Sequence, residues 1–276
     1  MGTKISATDS FVAISLTLNY CNYLPKLVTK IIAVFNQSGG VGKTTLTMNL
    51  GYQLALRNRR VLLVDIDPQA SLTTFMGLEP YDLEQTIAES LLKDSPLPIH
   101  SDLHKMSLCP ANIELSAAEV QLHSTLAREW KLKRVLSTVV ADYDYIWIDC
   151  PPTLGILSVL SLVAATHVII PLQTHFKAYK GTDLLLDTIK QVKEQVNPDL
   201  TIAGIVPTIH ANTGQDKAIL EATKQQLSSV ATIFPPITRA IAFADASMEL
   251  RPLASYDSKH PALKVLNAIA DSMERL

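Results

Sequence analysis

The chain has 276 residues, 47% hydrophobic and 18% charged, with a formal net charge of −2 and a pI near 6.4. That length accommodates one large α/β domain or at most two small ones, and the apolar fraction suffices for a core. The near-neutral balance excludes a globally basic nucleic-acid binder, so any DNA contact must come from a local patch. Cys21, Cys109 and Cys150 are scattered and form no CxxC, which argues against a disulfide framework and fits a reducing cytoplasm.

Taken in chain order, residues 1–29 are expected to form a poorly ordered N-terminal extension. Their apolar run over 11–18 faintly resembles a signal peptide, but Asp9 precedes it and no A-x-A site follows. A start codon assigned too far upstream would look the same. Residues 30–276 are expected to form a single domain. The short apolar run 31–35 predicts a buried parallel strand. Leu46, Leu50, Leu54 and Ala55 predict a helix over 44–56. A second strand is predicted over 61–65, a helix over 83–92, a short strand over 106–109, and helical pieces, two of them, within 115–140. Strands follow over 145–149 and 167–171, a helix over 182–196, a strand over 201–206, a helix over 215–227 and a last helix over 261–275. The alternation predicts an α/β fold, a doubly wound and mostly parallel sheet flanked by helices. The longest apolar stretch, 155–172, is broken by Thr166, His167 and Pro171 and falls short of a membrane span.

Between the first strand and the first helix lies Gln37-Ser38-Gly39-Gly40-Val41-Gly42-Lys43-Thr44-Thr45. This is a phosphate-binding loop of the P-loop NTPase kind, with Gln37 where the strict pattern G-x-x-x-x-G-K-[ST] has its first glycine. Glycines let backbone N–H groups curl around phosphate oxygens, and the helix N-terminus adds partial positive charge. Lys43 is expected to neutralise the β- and γ-phosphates of ATP, and the Thr44 hydroxyl to ligate Mg²⁺.

Two acidic motifs close later strands: Asp65-Ile66-Asp67-Pro68-Gln69 and Asp149-Cys150-Pro151-Pro152. Ligands of open α/β sheets bind at strand carboxyl ends, so loop and acids are expected to converge on one Mg·nucleotide. Asp149 is expected to hold Mg²⁺ through water, Asp67 to join it at the metal, face the γ-phosphate and orient or deprotonate the attacking water, and Asp65 to hydrogen-bond the loop or assist the metal. No N-K-x-D guanine motif is present, which argues against GTP.

The ordered set GGxGKTT, VLLVDIDPQAS and YIWIDCPP resembles the ParA/MinD branch of deviant Walker A ATPases, over nearly everything from Lys30 onward. Pro110–Leu115 and Ile237-Thr238-Arg239 leading into Ala246 are similar to that family as well. The resemblance implies an ATP-dependent homodimer that binds non-specific DNA in the nucleoid and is recycled by a small adaptor protein stimulating hydrolysis, in the cytoplasm. It also implies an adenine contact in the loop 207–212, including Pro207 and Thr208. One position departs: the family's loop begins KGGxGKTT, its first Lys reaching the partner's phosphates, and here that position is Ser38. Such a cation in trans is worth roughly 10³–10⁵ in rate. Lys177 and Lys180, in the loop after the strand 167–171, are the expected substitutes. Ser38 in its Phe-Asn-Gln-Ser-Gly-Gly context resembles the carboxysome-positioning McdA group; plasmid or chromosome partition is the alternative cargo reading.

A membrane-surface role like that of MinD would need a basic amphipathic C-terminal helix, and the tail lacks a basic excess, so membrane binding is not expected. An iron–sulfur donor would need paired cysteines, and a metabolic ATP-dependent ligase on this scaffold stays open. Candidate DNA contacts are Lys217, Lys224, Arg239 and Arg251, with Arg57, Arg59, Arg60 and Lys259 behind them. Binding through such residues would be weak and salt-dependent.

Overall fold

The computed structural model describes residues 28–175 and 181–276. Among them, β1 (Lys30–Val34), β2 (Val61–Asp65), β3 (His100–Leu103), β4 (Met106–Cys109), β5 (Tyr145–Asp149), β6 (His167–Gln173) and β7 (Thr201–Thr208) form one sheet. Its order is β3-β4-β2-β5-β1-β6-β7. Every pairing is parallel except the β3–β4 hairpin at one edge. The expected doubly wound, mostly parallel fold is therefore present.

The pleat splits each central strand between two cores. Ile32 and Val34 of β1, with Leu63 and Trp147, pack under α1 (Lys43–Ala55) and the C-terminal helix Ala262–Glu274. Ala33, Val64, Ile146 and Ile148 face the opposite layer, built from α3 (Ile87–Lys93), α4 (Glu114–Leu122), α5 (Lys131–Leu136), α6 (Ile156–Ala164) and α7 (Thr182–Gln195). The remaining helices are α2 (Ser71–Phe75), α8 (Gly214–Leu227), α9 (Ile241–Met248) and α10 (Leu253–Tyr256); the C-terminal one is α11.

Several element boundaries differ from expectation for identifiable reasons. The helix predicted over 83–92 starts later, at a capping box: the Thr86 hydroxyl accepts from Ala88 N, and Glu89 accepts from Thr86 N at 2.8 Å. Residues 115–140 break into α4, α5 and two 3₁₀ turns. The apolar stretch 155–172 is α6 followed by β6, and its leucines are buried in the core. No helix among the described residues is long and apolar enough to cross a membrane. The hairpin strand β3 reads HSDL, with Ser101 and Asp102 exposed, and offers no apolar alternation to predict it.

Helix α11 turns its apolar face inward, with Leu266, Ile269, Ala270 and Met273 fully buried. Its polar face holds Arg57 through Asp271 (2.7 Å) and Glu274 (2.9 Å), and Arg59 through Glu274 (2.6 Å). Arg60 pairs with Asp144 at 2.8 Å. These three arginines gather at the amino ends of the strands, away from the phosphate loop, and all are engaged with acids.

Candidate nucleotide-binding site

Strand β1 sits between β5 and β6; its connection to β2 runs through α1 on one face of the sheet and the β5–β6 connection through α6 on the other, which opens a crevice beyond its carboxyl end. The glycine-rich loop fills that point. Asn36 is buried and anchors it at both ends: its Nδ2 donates to Pro171 O at 2.7 Å, and its Oδ1 accepts from Ser38 N at 2.8 Å. Gly40 (φ +72°) and Gly42 (φ +88°) take left-handed conformations that disfavour any side chain. Gly42 caps α1 without a side-chain acceptor, so the first-turn amides face the loop cavity as donors for an anion. Thr208 Oγ1 donates to Val41 O at 2.9 Å, clamping the loop to β7. Lys43 is only 7% exposed and folds back over the loop, donating from Nζ to Ser38 O at 2.8 Å. Burial lowers the Lys43 pKa, opposed by the charge of Asp149.

The strand register brings the acids together. Asp149 lies opposite both Val34 and Asp65. Asp149 accepts from the Thr44 hydroxyl and from Thr47 Oγ1 at 3.4 Å. Asp65 is fully buried and its oxygens are occupied: Oδ1 accepts from Asp67 N at 3.1 Å, Oδ2 from Thr73 N and Thr73 Oγ1, each at 2.8 Å. It thus braces the loop that carries Asp67 and the start of α2, rather than bonding to the glycine-rich loop. Asp67 is half-buried and accepts from Gln69 N at 3.0 Å. Burial pushes Asp65 up to about 6 and raises Asp67; it lifts Asp149 well above the ordinary carboxylate range, helped by the nearby charge of Asp65.

Acids that resist ionisation beside a lysine and a threonine hydroxyl fit a hard divalent cation, whose charge would relieve them. Among the described residues no three His, Cys, Asp or Glu side chains converge to hold a metal by themselves. A cation here would need further oxygens, such as those of a nucleotide phosphate. Of the unpartnered buried polar atoms, Gln37 Oε1 lies within the loop itself.

A cleft of about 930 Å³ continues from the loop, lined by Gly40, Gly42, Thr45, Thr208, Ile209 and the segment 237–240. Pro207 does not line it; its carbonyl accepts from Ile237 N at 2.8 Å and so holds that segment in place. The segment 237–240 extends the sheet edge beyond β7 through a parallel bridge between His210 and Thr238. The two prolines just before it, Pro235 and Pro236, hide it from strand periodicity, and only its likeness to the family signals it in the sequence.

Lys177 and Lys180 lie outside the described residues. The flanks of their loop return to the site: Gln173 lines the cleft, and Gly181 O accepts from Gln37 Nε2 at 3.0 Å. The four candidate DNA contacts do not share one element. Lys217 and Lys224 are exposed on α8, Lys224 paired with Glu221 at 2.8 Å. Arg251 pairs with Glu249 at 3.3 Å and donates to Ser255 O. Arg239 lies on the nucleotide cleft.

A family model described as an AAA domain matches residues 29–202. The sporulation initiation inhibitor protein Soj of Bacillus subtilis is 38% identical over 242 residues, covering 86% of this chain and 94% of Soj. The chain belongs to the ParA/MinD family of P-loop ATPases. Among solved structures, cobyrinic acid a,c-diamide synthase of Mycobacterium smegmatis, with bound ATP analogue and magnesium, is 36% identical at TM-score 0.80, over 90% of this chain and 95% of that one. An ATP complex of McdA from Cyanothece is 25% identical at TM-score 0.81, over 90% and 97%. The family's fold recurs here.

Proposed function

We propose that this chain is a Mg²⁺-dependent partitioning ATPase that closes as a homodimer around ATP, binds DNA non-specifically and is released when a small adaptor protein stimulates hydrolysis. The observation that carries the nucleotide reading is the register placing Asp149 beside Asp65 and behind a loop whose Lys43 is held over it. The loop amides and Lys43 bind the phosphates, Thr44 and Asp149 hold the metal, and Asp67 orients or deprotonates the attacking water. When bound, Mg²⁺ supplies charge neutralisation at the phosphates. Thr208, pinned to Val41, sets the cleft for the base. DNA contacts fall to α8, with Lys217 exposed and without an ion pair among the described residues.

The identity to Soj favours chromosome or plasmid DNA as the cargo. Ser38 favours a second reading, carboxysome positioning of the McdA kind. Both place the protein in the cytoplasm on the nucleoid. Light scattering on wild-type protein is expected to show a dimer with ATP and a monomer with ADP, and the ATP form alone to shift DNA, weakening steeply as salt rises. Turnover only in the presence of a carboxylate substrate, with neither dimer nor DNA shift, would instead make it a ligase.

Ser38 leaves the dimer without the loop's usual cation. Lys177 or Lys180 takes that place, because their loop starts and ends at the site. Lys177→Ala and Lys180→Ala, assayed separately, are expected to give one variant that dimerises normally yet hydrolyses ATP about tenfold more slowly or worse, a loss of at least ~1.4 kcal/mol. Two variants with wild-type rates would eliminate the substitution.

A further inference from the structure

Sequence places Arg239 among the DNA contacts, and its setting points elsewhere. Arg239 is exposed and lines the cleft together with the loop glycines and Thr45. The chemistry-bearing residues Lys43, Asp67 and Asp149 do not line this cleft, so it extends from the phosphate loop away from the reacting end. Its other walls are mostly apolar, with Leu46, Phe75, Ile237 and Phe243 beside a few neutral polar side chains such as Gln173 and Thr208. A mostly apolar cavity with few polar groups suits a planar base better than a phosphate.

The backbone of Arg239 is held firmly. Its N–H donates to His210 O at 3.0 Å, and His210 N donates to Ile237 O at 3.1 Å. Strand β7, just before His210 and bonded to the segment through Pro207 O, is itself fixed to the loop by Thr208. Position 239 is therefore built at a set height above the loop. Its guanidinium makes no ion pair or hydrogen bond among the described residues, in contrast to Lys224 and Arg251. A planar, weakly hydrated cation over an apolar cleft is suited to lie flat on an aromatic face.

We propose that Arg239 stacks its guanidinium on the purine base of the nucleotide in the same subunit, and so supports ATP and ADP alike. The inference rests on the ATPase reading of the cleft. It separates Arg239 from the DNA surface and from the cation that Ser38 fails to supply, because a contact at the base end is blind to the γ-phosphate.

The test is calorimetry of wild-type, Arg239→Ala and Arg239→Lys proteins with ADP, ATP and inorganic tripolyphosphate, each with Mg²⁺, beside a DNA shift assay. Arg239→Ala is expected to raise the Kd of ADP and of ATP by the same factor, about 3- to 30-fold. Arg239→Lys, which keeps the charge without the plane, is expected to fall between. Tripolyphosphate, lacking a base, is expected to bind all three proteins equally, which also reports an intact loop. Unchanged ADP affinity with loss of the DNA shift would return Arg239 to the DNA surface and overturn the inference. An equal loss for tripolyphosphate would overturn it too, assigning Arg239 to the phosphates. Wild-type protein that binds none of the three ligands would remove the ATPase reading itself.

Discussion

Replacing Lys43 by alanine is expected to lower ATP hydrolysis by at least about 10²–10³-fold, the range seen when one preorganised charge-stabilising donor is removed. The geometry makes the loss severe. Lys43 is almost fully enclosed, and no other described cation lies within the glycine-rich loop. Its ammonium already spans the loop to Ser38 O, so no reorganisation is needed when phosphate enters. Burial lowers its pKa, but the facing Asp149 counters this, and an incoming polyphosphate would favour the charged form further. The variant should also lose ATP-dependent dimerisation, because that step follows nucleotide binding. Its melting temperature without nucleotide should change little, since the hydrogen bond to Ser38 O and the attraction to Asp149 are lost while the cost of burying the ammonium is relieved. Malachite-green turnover and thermal melting read the two effects separately. Hydrolysis within about threefold of wild type would mean that the loop is not the reaction centre.

Much of this was legible in the sequence, for physical reasons that differ from element to element. The strands β1, β2 and β5 are buried on both faces, so each reads as a near-continuous apolar run, closed by an acid in β2 and β5, and its run of apolar residues reveals it. The glycine-rich loop was legible because positive φ at Gly40 and Gly42 demands glycine. What stayed hidden depends on contacts between distant segments. Asp65 looks in sequence like a catalytic partner of Asp67. Only the fold shows its oxygens filled by Thr73 and by the backbone of Asp67 itself. The segment 237–240 has no pattern of its own; it is placed by hydrogen bonds to Pro207 and His210, tens of residues earlier. Arg239 thus appeared as one more surface charge. Arg57 and Arg59 appeared free because their acids belong to a helix more than two hundred residues away.

Asp149→Asn is expected to separate the two tasks that burial imposes on this acid. In the protein without nucleotide, Asp149 and Asp65 have folded pKa values raised above their unfolded ones, mainly by burial. The sign follows: each group's contribution to stability is fully present below about pH 4 and is lost as pH rises through its folded pKa. For Asp65 a rise from 3.8 to about 6 amounts to roughly 3 kcal/mol lost by neutral pH. Asparagine at position 149 keeps an oxygen to accept from Thr44 and Thr47 while removing the charge, and it also relieves Asp65. Without nucleotide or metal, the variant should therefore melt higher than wild type at pH 7.5, and the gap should close toward pH 4.5. Hydrolysis should move the other way. Losing the carboxylate that holds the metal is expected to cost several kcal/mol of transition-state stabilisation, about 10²–10³-fold in rate. Mg·ADP should raise the melting temperature of wild type more than that of the variant at pH 7.5, since only wild type carries the carboxylate at position 149 for the cation to neutralise. A melting difference that ignores pH would show that Asp149 is not held against its charge, and would remove the physical reason for a metal at this position.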